Sequence, residues 1–501
     1  MSHTDQRVRA SGRLRILYLA SEMTPLAKTG GLADVAGALP KALRGLKHDV
    51  RALLPKYEAI AKGKWRARTI FKSLPVKLGN SVYRVGIERC YAIAGVELYL
   101  LDYPEFYNRP HLYGYHDDAL RFALFCRAAL ELAKAICFQP NVIHCNDWQT
   151  GLIPAYLNTT DLYDGFFART ATLFTIHNLG YQGNFSPALL SDVGLPWETF
   201  SINGVEFYGH FSFMKAGLYY SDMLTTVSPR YAQEIQTAEF GEGFHGLLLS
   251  RSNDLVGILN GVDYEIWNPK TDKLIHARYD ASTIEMKRRN KVHLQESLGL
   301  PVDEQKPVIG VVARLTWQKG FDLLIEVADE LLSKHDLQLV ILGAGEERYE
   351  NAFINLAKAY PTKVGARIGV YDEPLAHLIY AGSDMFLMPS RYEPCGLGQM
   401  ISMRYGTLPI VHHTGGLADT VKELDEATGE GNGFCFRKFD ATEMLSAIER
   451  ALSIYNGKPQ LWRNAMLNAM SADYSWKHSA QEYERAYRMA IQRRVGKLGI
   501  E

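Results

Sequence analysis

The sequence has no excess of either charge. Lys plus Arg and Asp plus Glu number 55 each, so the 501-residue chain has a formal net charge of zero with histidine neutral. Such a balance makes no electrostatic case for nucleic acid or an anionic membrane surface, and any bound anion must be held by a local cluster. The six cysteines (Cys90, Cys126, Cys137, Cys145, Cys395, Cys435) form no CxxC pair and no metal-ligand spacing, which argues against a disulfide framework and fits a reducing compartment. No run approaches the roughly 20 apolar residues that span a bilayer. Residues 1–13 are polar and basic without the apolar stretch of a secretory leader, so a cytoplasmic protein with an unstructured N-terminal extension is expected. The phosphate loop GxxxxGK(S/T), the elbow GxSxG, the metal motif HExxH and any Asp-x-Asp pair are also missing. That absence excludes the common nucleotide-hydrolase, serine-hydrolase and zinc-protease chemistries, and neither metal nor other cofactor is expected.

What the chain does have is length enough for two or more domains and a repeated loop. Lys28-Thr29-Gly30-Gly31-Leu32-Ala33-Asp34 follows the apolar run Ile16–Ala20 and precedes apolar positions at helical spacing (Leu32, Val35, Ala36, Leu39). Strand, glycine loop and helix in that order bring backbone N–H groups close to a phosphate or sugar. The hexapeptide Thr-Gly-Gly-Leu-Ala-Asp recurs verbatim at Thr414-Gly415-Gly416-Leu417-Ala418-Asp419, again after a strand-like run. Two copies so far apart predict two nucleotide-fold halves, each offering a helix N-terminus to one ligand.

Taken in order, strands are expected at 49–55, 96–101, 142–145, 173–176 and 224–227, with helices near 32–45, 118–137 and 213–222. This alternation predicts a parallel sheet covered on both faces. Polar clusters stand at the carboxyl ends of its strands: Asn146-Asp147-Trp148-Gln149 and His177-Asn178-Leu179-Gly180-Tyr181-Gln182-Gly183. The stretch Val256–Asp263 reads as an apolar strand ending in the turn Asn260-Gly261, and the charged, irregular stretch 268–306 reads as the crossing into a second domain. There the strand 308–313 delivers Arg314 and Lys319, a fork and a point charge able to converge on one diphosphate. The strand 385–389 delivers Glu393 ahead of a Pro-Cys-Gly turn. Fixed cations and N–H groups of this kind can neutralise a leaving diphosphate without a metal. Polar residues from both halves (Lys28, Asp147, His177, Asn260, Glu393) fit a sugar clamped between them, and an aromatic content of 11% is in keeping with a carbohydrate ligand, because sugar faces pack on rings.

At these motifs, together with Ser21-Glu22-Met23, Lys215–Tyr220, Ile258–Asp263, Arg391–Leu397 and Gly406–Val421, the chain resembles the bacterial glycogen synthases, which are related to plant starch synthases. The resemblance implies an α/β, GT-B fold: two Rossmann-like doubly wound domains facing across a deep cleft, here 1–255 and 256–472, with a helix in 473–501 crossing back to the first. It implies retaining, metal-free transfer of glucose from ADP-glucose to the non-reducing end of an α-1,4-glucan such as glycogen. Alternatives are a related enzyme with another donor, such as UDP-glucose, or a non-catalytic glucan-binding protein. By the same resemblance His177, Glu393, Arg314 and Lys319 are the catalytic group. Lys28, Gly30, Gly31, Asn260, Tyr371, Cys395, Gly396, Leu397, Thr414, Gly415 and Gly416 are donor contacts, and Glu22, Asp34, Asp147, Asn178 and Tyr181 line the acceptor side. The chain departs from the family pattern at Gln149, His210, Gly398 and Ile401, so no ribose-binding carboxylate is assigned at Ile401.

Overall fold

The computed structural model describes residues 12–497, so the expectation for residues 1–11 falls outside it. The chain divides into two compact units, one reaching Leu259 and including the C-terminal helix from Trp476, the other spanning Asn260–Ser475. The sequence places these divisions at 255/256 and 472/473. The few residues of difference follow from hydrogen bonds: Ile258 N donates to Thr226 O (2.8 Å) and Ser479 Oγ to Leu259 O (2.6 Å), whereas Val262 N donates to Tyr474 O (2.7 Å) in the second unit.

In the first unit a nine-stranded sheet is built from β1 (Arg15–Leu19), β2 (Asp49–Pro55), β3 (Ala67–Leu78), β4 (Ser81–Cys90), β5 (Glu97–Asp102), β6 (Val142–Asn146) and β7 (Ala171–Ile176). Three short strands, β8 (Asn184–Phe185), β9 (Glu206–Phe207) and β10 (His210–Ser212), form a separate small sheet; β11 (Met223–Thr226) and β12 (Leu255–Gly257) complete the large one. The large sheet has the order β12-β11-β7-β6-β1-β2-β5-β4-β3. Its central strands are parallel and buried on both faces, which is why they read as apolar runs. The expectation of an all-parallel sheet is corrected at one edge, where β3 and β4 form an antiparallel hairpin that continues onto β5. Its register shifts near Phe71 and its exposed polar residues blur the strand signal in the sequence.

The chain runs outward from β1 through β2 to β5, then restarts at β6 and runs the other way. Neighbouring β1 and β6 (Ile16 opposite Val142) therefore flank a topological switch point, where loops diverge and leave a crevice. The helix Gly31–Gly45 follows β1 and buries Leu32, Val35, Ala36 and Leu39, the predicted stripe. The C-terminal helix Trp476–Lys497 packs on this unit with Tyr483 and Tyr487 fully buried, and Tyr487 OH lies 2.8 Å from His144 Nδ1 on β6.

The second unit carries a six-stranded parallel sheet of β13 (Val308–Leu315), β14 (Gln338–Gly345), β15 (Val364–Ile368), β16 (Met385–Met388), β17 (Leu408–His412) and β18 (Phe434–Phe436). Its order is β15-β14-β13-β16-β17-β18, so β13 and β16 flank a second switch point. The stretch expected to be irregular, 268–306, contains the helix Lys287–Ser297. That helix is anchored by polar groups, which hides it from a search for apolar periodicity: Lys287 Nζ donates to Ala381 O (2.7 Å) and Thr407 Oγ1 (2.6 Å), and Asn290 Nδ2 to Ala277 O (2.8 Å).

Candidate active site

In the first unit the loop after β1 is organised by Glu22. Its buried carboxylate accepts from Thr29 N and Oγ1, from Gly30 N at 3.0 Å and from Tyr113 OH at 2.9 Å. Gly30, extended at φ −149°, caps the helix that Gly31 opens. The expectation that these loop N–H groups stand ready for a phosphate is corrected for Thr29 and Gly30, whose donors the protein itself occupies. Lys28 pairs with Asp34 at 2.6 Å near the surface.

Across the switch point, β6 ends in Asn146, and Asp147 follows it. Asp147 is buried at φ 55° and ψ −179°, a backbone conformation rare for a non-glycine residue. Its Oδ1 accepts from His177 N at 2.7 Å, binding the loop after β6 to the loop after β7. Burial pushes the Asp147 carboxyl up to about 7, against the pull of the His177 and Asn178 N–H groups, with the nearby charge of Glu22 acting in the same direction as burial. The His177 ring is buried, which lowers it to about 3, and its Nε2 lies 2.9 Å from Asn146 Oδ1. Asn178 Oδ1 accepts from Gly180 N (3.0 Å), and Tyr181 beside it is exposed. Gln149 is buried and His210 exposed.

In the second unit the loops after β13 and β16 meet. Lys319 Nζ donates to Glu393 Oε2 at 2.6 Å, and Ser390 Oγ donates to the same oxygen at 2.8 Å. Gly320, at φ 67°, allows this approach, because a Cβ there would sit 2.0 Å from Pro389 O. Arg314 stands exposed near the carboxyl end of β13. Arg391 ties the same two loops together: its N donates to Gln318 O (2.9 Å), its guanidinium lies over the Trp317 and Phe439 rings, and it pairs with Asp322. After Glu393 the chain turns through Cys395, Gly396 (φ 72°) and Leu397 into the helix Gly398–Arg404. Cys395 is buried beside Asn260, and burial pushes its thiol up to about 12. Gly416 N donates to Glu393 O (3.0 Å), and a Cβ on Gly416 would come within 2.0 Å of Cys395 O. The second Thr-Gly-Gly thus packs against the Glu393 turn. Ile401 is buried in the helix core, and Tyr371 is 59% exposed after β15.

The two identical hexapeptides do not fold identically. The first opens a 15-residue helix at Gly31; the second is capped by Thr414, passes through Gly415 at φ 46° and opens a helix of only six residues. The Glu393 turn that receives Gly416 has no counterpart against Gly31, where Glu22 holds the preceding residues instead. Missed by the sequence reading as site residues were Tyr113, Asn146, Ser390 and Arg391. Asn146 and Arg391 lie inside motifs already singled out, whereas Tyr113 lies far from its partner in sequence and gave no local signal. Among the described residues no group of three or more His, Cys, Asp and Glu is placed to hold a metal ion.

Two Rossmann-like units, each with its polar side chains gathered where strand order reverses, define a GT-B glycosyltransferase. Residues 15–250 match the starch synthase catalytic domain and residues 296–466 the glycosyl transferases group 1 family. The chain is 48% identical over 483 residues to the glycogen synthase of Thermotoga maritima, covering 95% of this chain and 99% of that one. It is 49% identical over 487 residues to that of Geobacillus thermodenitrificans, covering 96% and 98%. The catalytic domain of starch synthase IV from Arabidopsis thaliana, solved bound to ADP and acarbose, superposes with a TM-score of 0.90 at 35% identity, covering 96% of this chain and all of that one. The chain belongs to the glycogen synthase family.

Proposed function

We propose that this protein transfers glucose from ADP-glucose to the non-reducing end of an α-1,4-glucan such as glycogen, with retention of configuration and without a metal. The observation that carries this reading is the Lys319–Glu393 pair at the switch point of the second sheet, with the second Thr-Gly-Gly turn packed against it. As the glycosidic bond breaks, negative charge grows on the departing diphosphate. Arg314 and Lys319 are the fixed cations that meet it, and Glu393 holds Lys319 in place until the donor arrives. Lys28 is a further phosphate contact, Tyr371 stacks near the base, and Cys395 to Leu397 border the sugar. His177 serves the glucosyl ring, with Asp147, Asn178 and Tyr181 on the acceptor side. Among the described residues no helix is long and apolar enough to cross a membrane.

The test is to incubate the protein with glycogen and either ADP-glucose or UDP-glucose, with and without EDTA, and to measure nucleoside diphosphate release. ADP-glucose should be consumed faster, and EDTA should leave the rate unchanged. Preference for UDP-glucose, or loss of activity in EDTA, overturns the donor or the metal-free part of the reading. Glycogen binding with no turnover of either donor overturns catalysis.

A further inference from the structure

Asn146 closes β6 beside β1, and its side chain is fully buried. Its Nδ2 donates to Leu19 O at 2.8 Å. Turning the amide over would set oxygen against oxygen, so Oδ1 must face the other way. There it accepts from Tyr18 OH at 3.3 Å and meets His177 Nε2 at 2.9 Å. An amide oxygen has no proton to give, so the one on the imidazole must sit on Nε2. The ring is buried, and its contact with Asn146 Oδ1 fixes its orientation. Nδ1 makes no hydrogen bond among the described residues.

We propose that Asn146 is a positioning residue that locks His177 in the Nε2–H tautomer, so that the ring offers Nδ1 as a neutral hydrogen-bond acceptor to one hydroxyl of the donor sugar. The inference deepens the glucosyl-transfer reading and rests on it. It makes His177 a reader of a hydroxyl, not a cation facing a phosphate or a base taking the acceptor's proton. Of the ionisable groups around the ring, Tyr18 donates its hydroxyl to Asn146 Oδ1; the other two are Asp147, whose carboxyl is engaged by backbone N–H groups, and His144 on β6. His144 is held between Tyr487 OH (2.8 Å) and Thr175 Oγ1 (2.7 Å), so neither neighbour supplies a close counter-charge for an imidazolium. A buried acceptor left empty by a substrate lacking its hydroxyl costs transition-state binding, which is how such a site discriminates.

The experiment uses the whole chain labelled with ¹⁵N-histidine, with the His177 resonances assigned by their loss in His177→Gln. In the parent protein the proton is expected on Nε2, with Nδ1 bare and the spectrum unchanged between pH 6 and 8. In parallel, ADP-deoxyglucoses each lacking one hydroxyl are compared as donors. One of them should be rejected, and both Asn146→Ala and His177→Ala should lose that same rejection, with kcat/KM for ADP-glucose down roughly tenfold in Asn146→Ala. A proton on Nδ1 in the parent, or an Asn146→Ala protein with unchanged tautomer and unchanged rejection, overturns the proposal. If Asn146→Ala does not fold, the tautomer of the parent alone decides. A parent with the Nε2 proton but no turnover of ADP-glucose leaves the lock standing and removes the proposed function instead.

Discussion

Lys319 Nζ lies 2.6 Å from Glu393 Oε2, and the two side chains are 16% and 7% exposed. This pair joins the loops on either side of the second switch point, so it bears on fold and turnover together. Lys319→Ala leaves Glu393 as an uncompensated buried charge, which typically costs about 3 to 5 kcal/mol. The melting temperature of the variant should therefore fall by several degrees, and kcat by about two to three decades. The double variant Lys319→Ala/Glu393→Gln should recover the melting temperature and not the turnover. An unshifted melting curve in the single variant would show that the pair contributes nothing to the fold.

Arg314 is predicted to behave differently because it is exposed at the end of β13. Arg314→Lys should leave stability within about 0.5 kcal/mol of the parent, while kcat drops, since a point charge cannot reproduce a planar two-pronged contact on a diphosphate. Equal turnover by this variant in a steady-state assay would place the second phosphate contact elsewhere.

Glu22 is expected to act through the loop it holds. Glu22→Ala exposes or orphans the N–H groups of Thr29 and Gly30, so hydrogen exchange at those two amides should quicken and kcat/KM for ADP-glucose should fall. Glu22→Gln should be milder. It keeps one oxygen for the two N–H groups, and the hydroxyls of Thr29 and Tyr113 can rotate to accept from the new amide. Unchanged exchange in Glu22→Ala would mean that the loop is held by other contacts.

The buried parallel strands were legible because burial on both faces leaves an uninterrupted apolar run, as in Ile16–Ala20 and Val308–Ala313. With strands and helices alternating as they do, the clusters after β6, β7, β13 and β16 fall at the carboxyl ends of interior strands, beside the switch points. What escaped is held by polar groups or by long-range pairing. The helix Lys287–Ser297 seats itself with Lys287, Asn290 and Gln295, residue types that read as solvent-facing. The β3–β4 hairpin has one face in solvent and a broken register. The resemblance names Glu22 as an acceptor-side residue, but its hold on the loop seven and eight residues later shows only in the fold. The Lys319–Glu393 pair spans 74 residues, and only the adjacency of β13 and β16 brings its partners together.

The Asp147 carboxyl, raised by burial to about 7, predicts a particular pH dependence. Between the ordinary carboxylate pKa and about pH 7 the folded protein holds a proton there that the unfolded chain has released. Unfolding free energy therefore falls as pH rises through that window, because the ionised group must be kept buried. A shift of about three pH units bounds the effect at about 4 kcal/mol, and it is present in full at low pH and lost by about pH 8. Asp147→Asn keeps an oxygen for the His177 N–H and removes the titration. Other groups also titrate, so the informative quantity is the difference between parent and variant in urea midpoint, measured at pH 5 and at pH 8. The variant should gain on the parent as pH rises. If the two proteins change in parallel across that range, Asp147 does not titrate in the window, and its two backbone donors hold it ionised throughout.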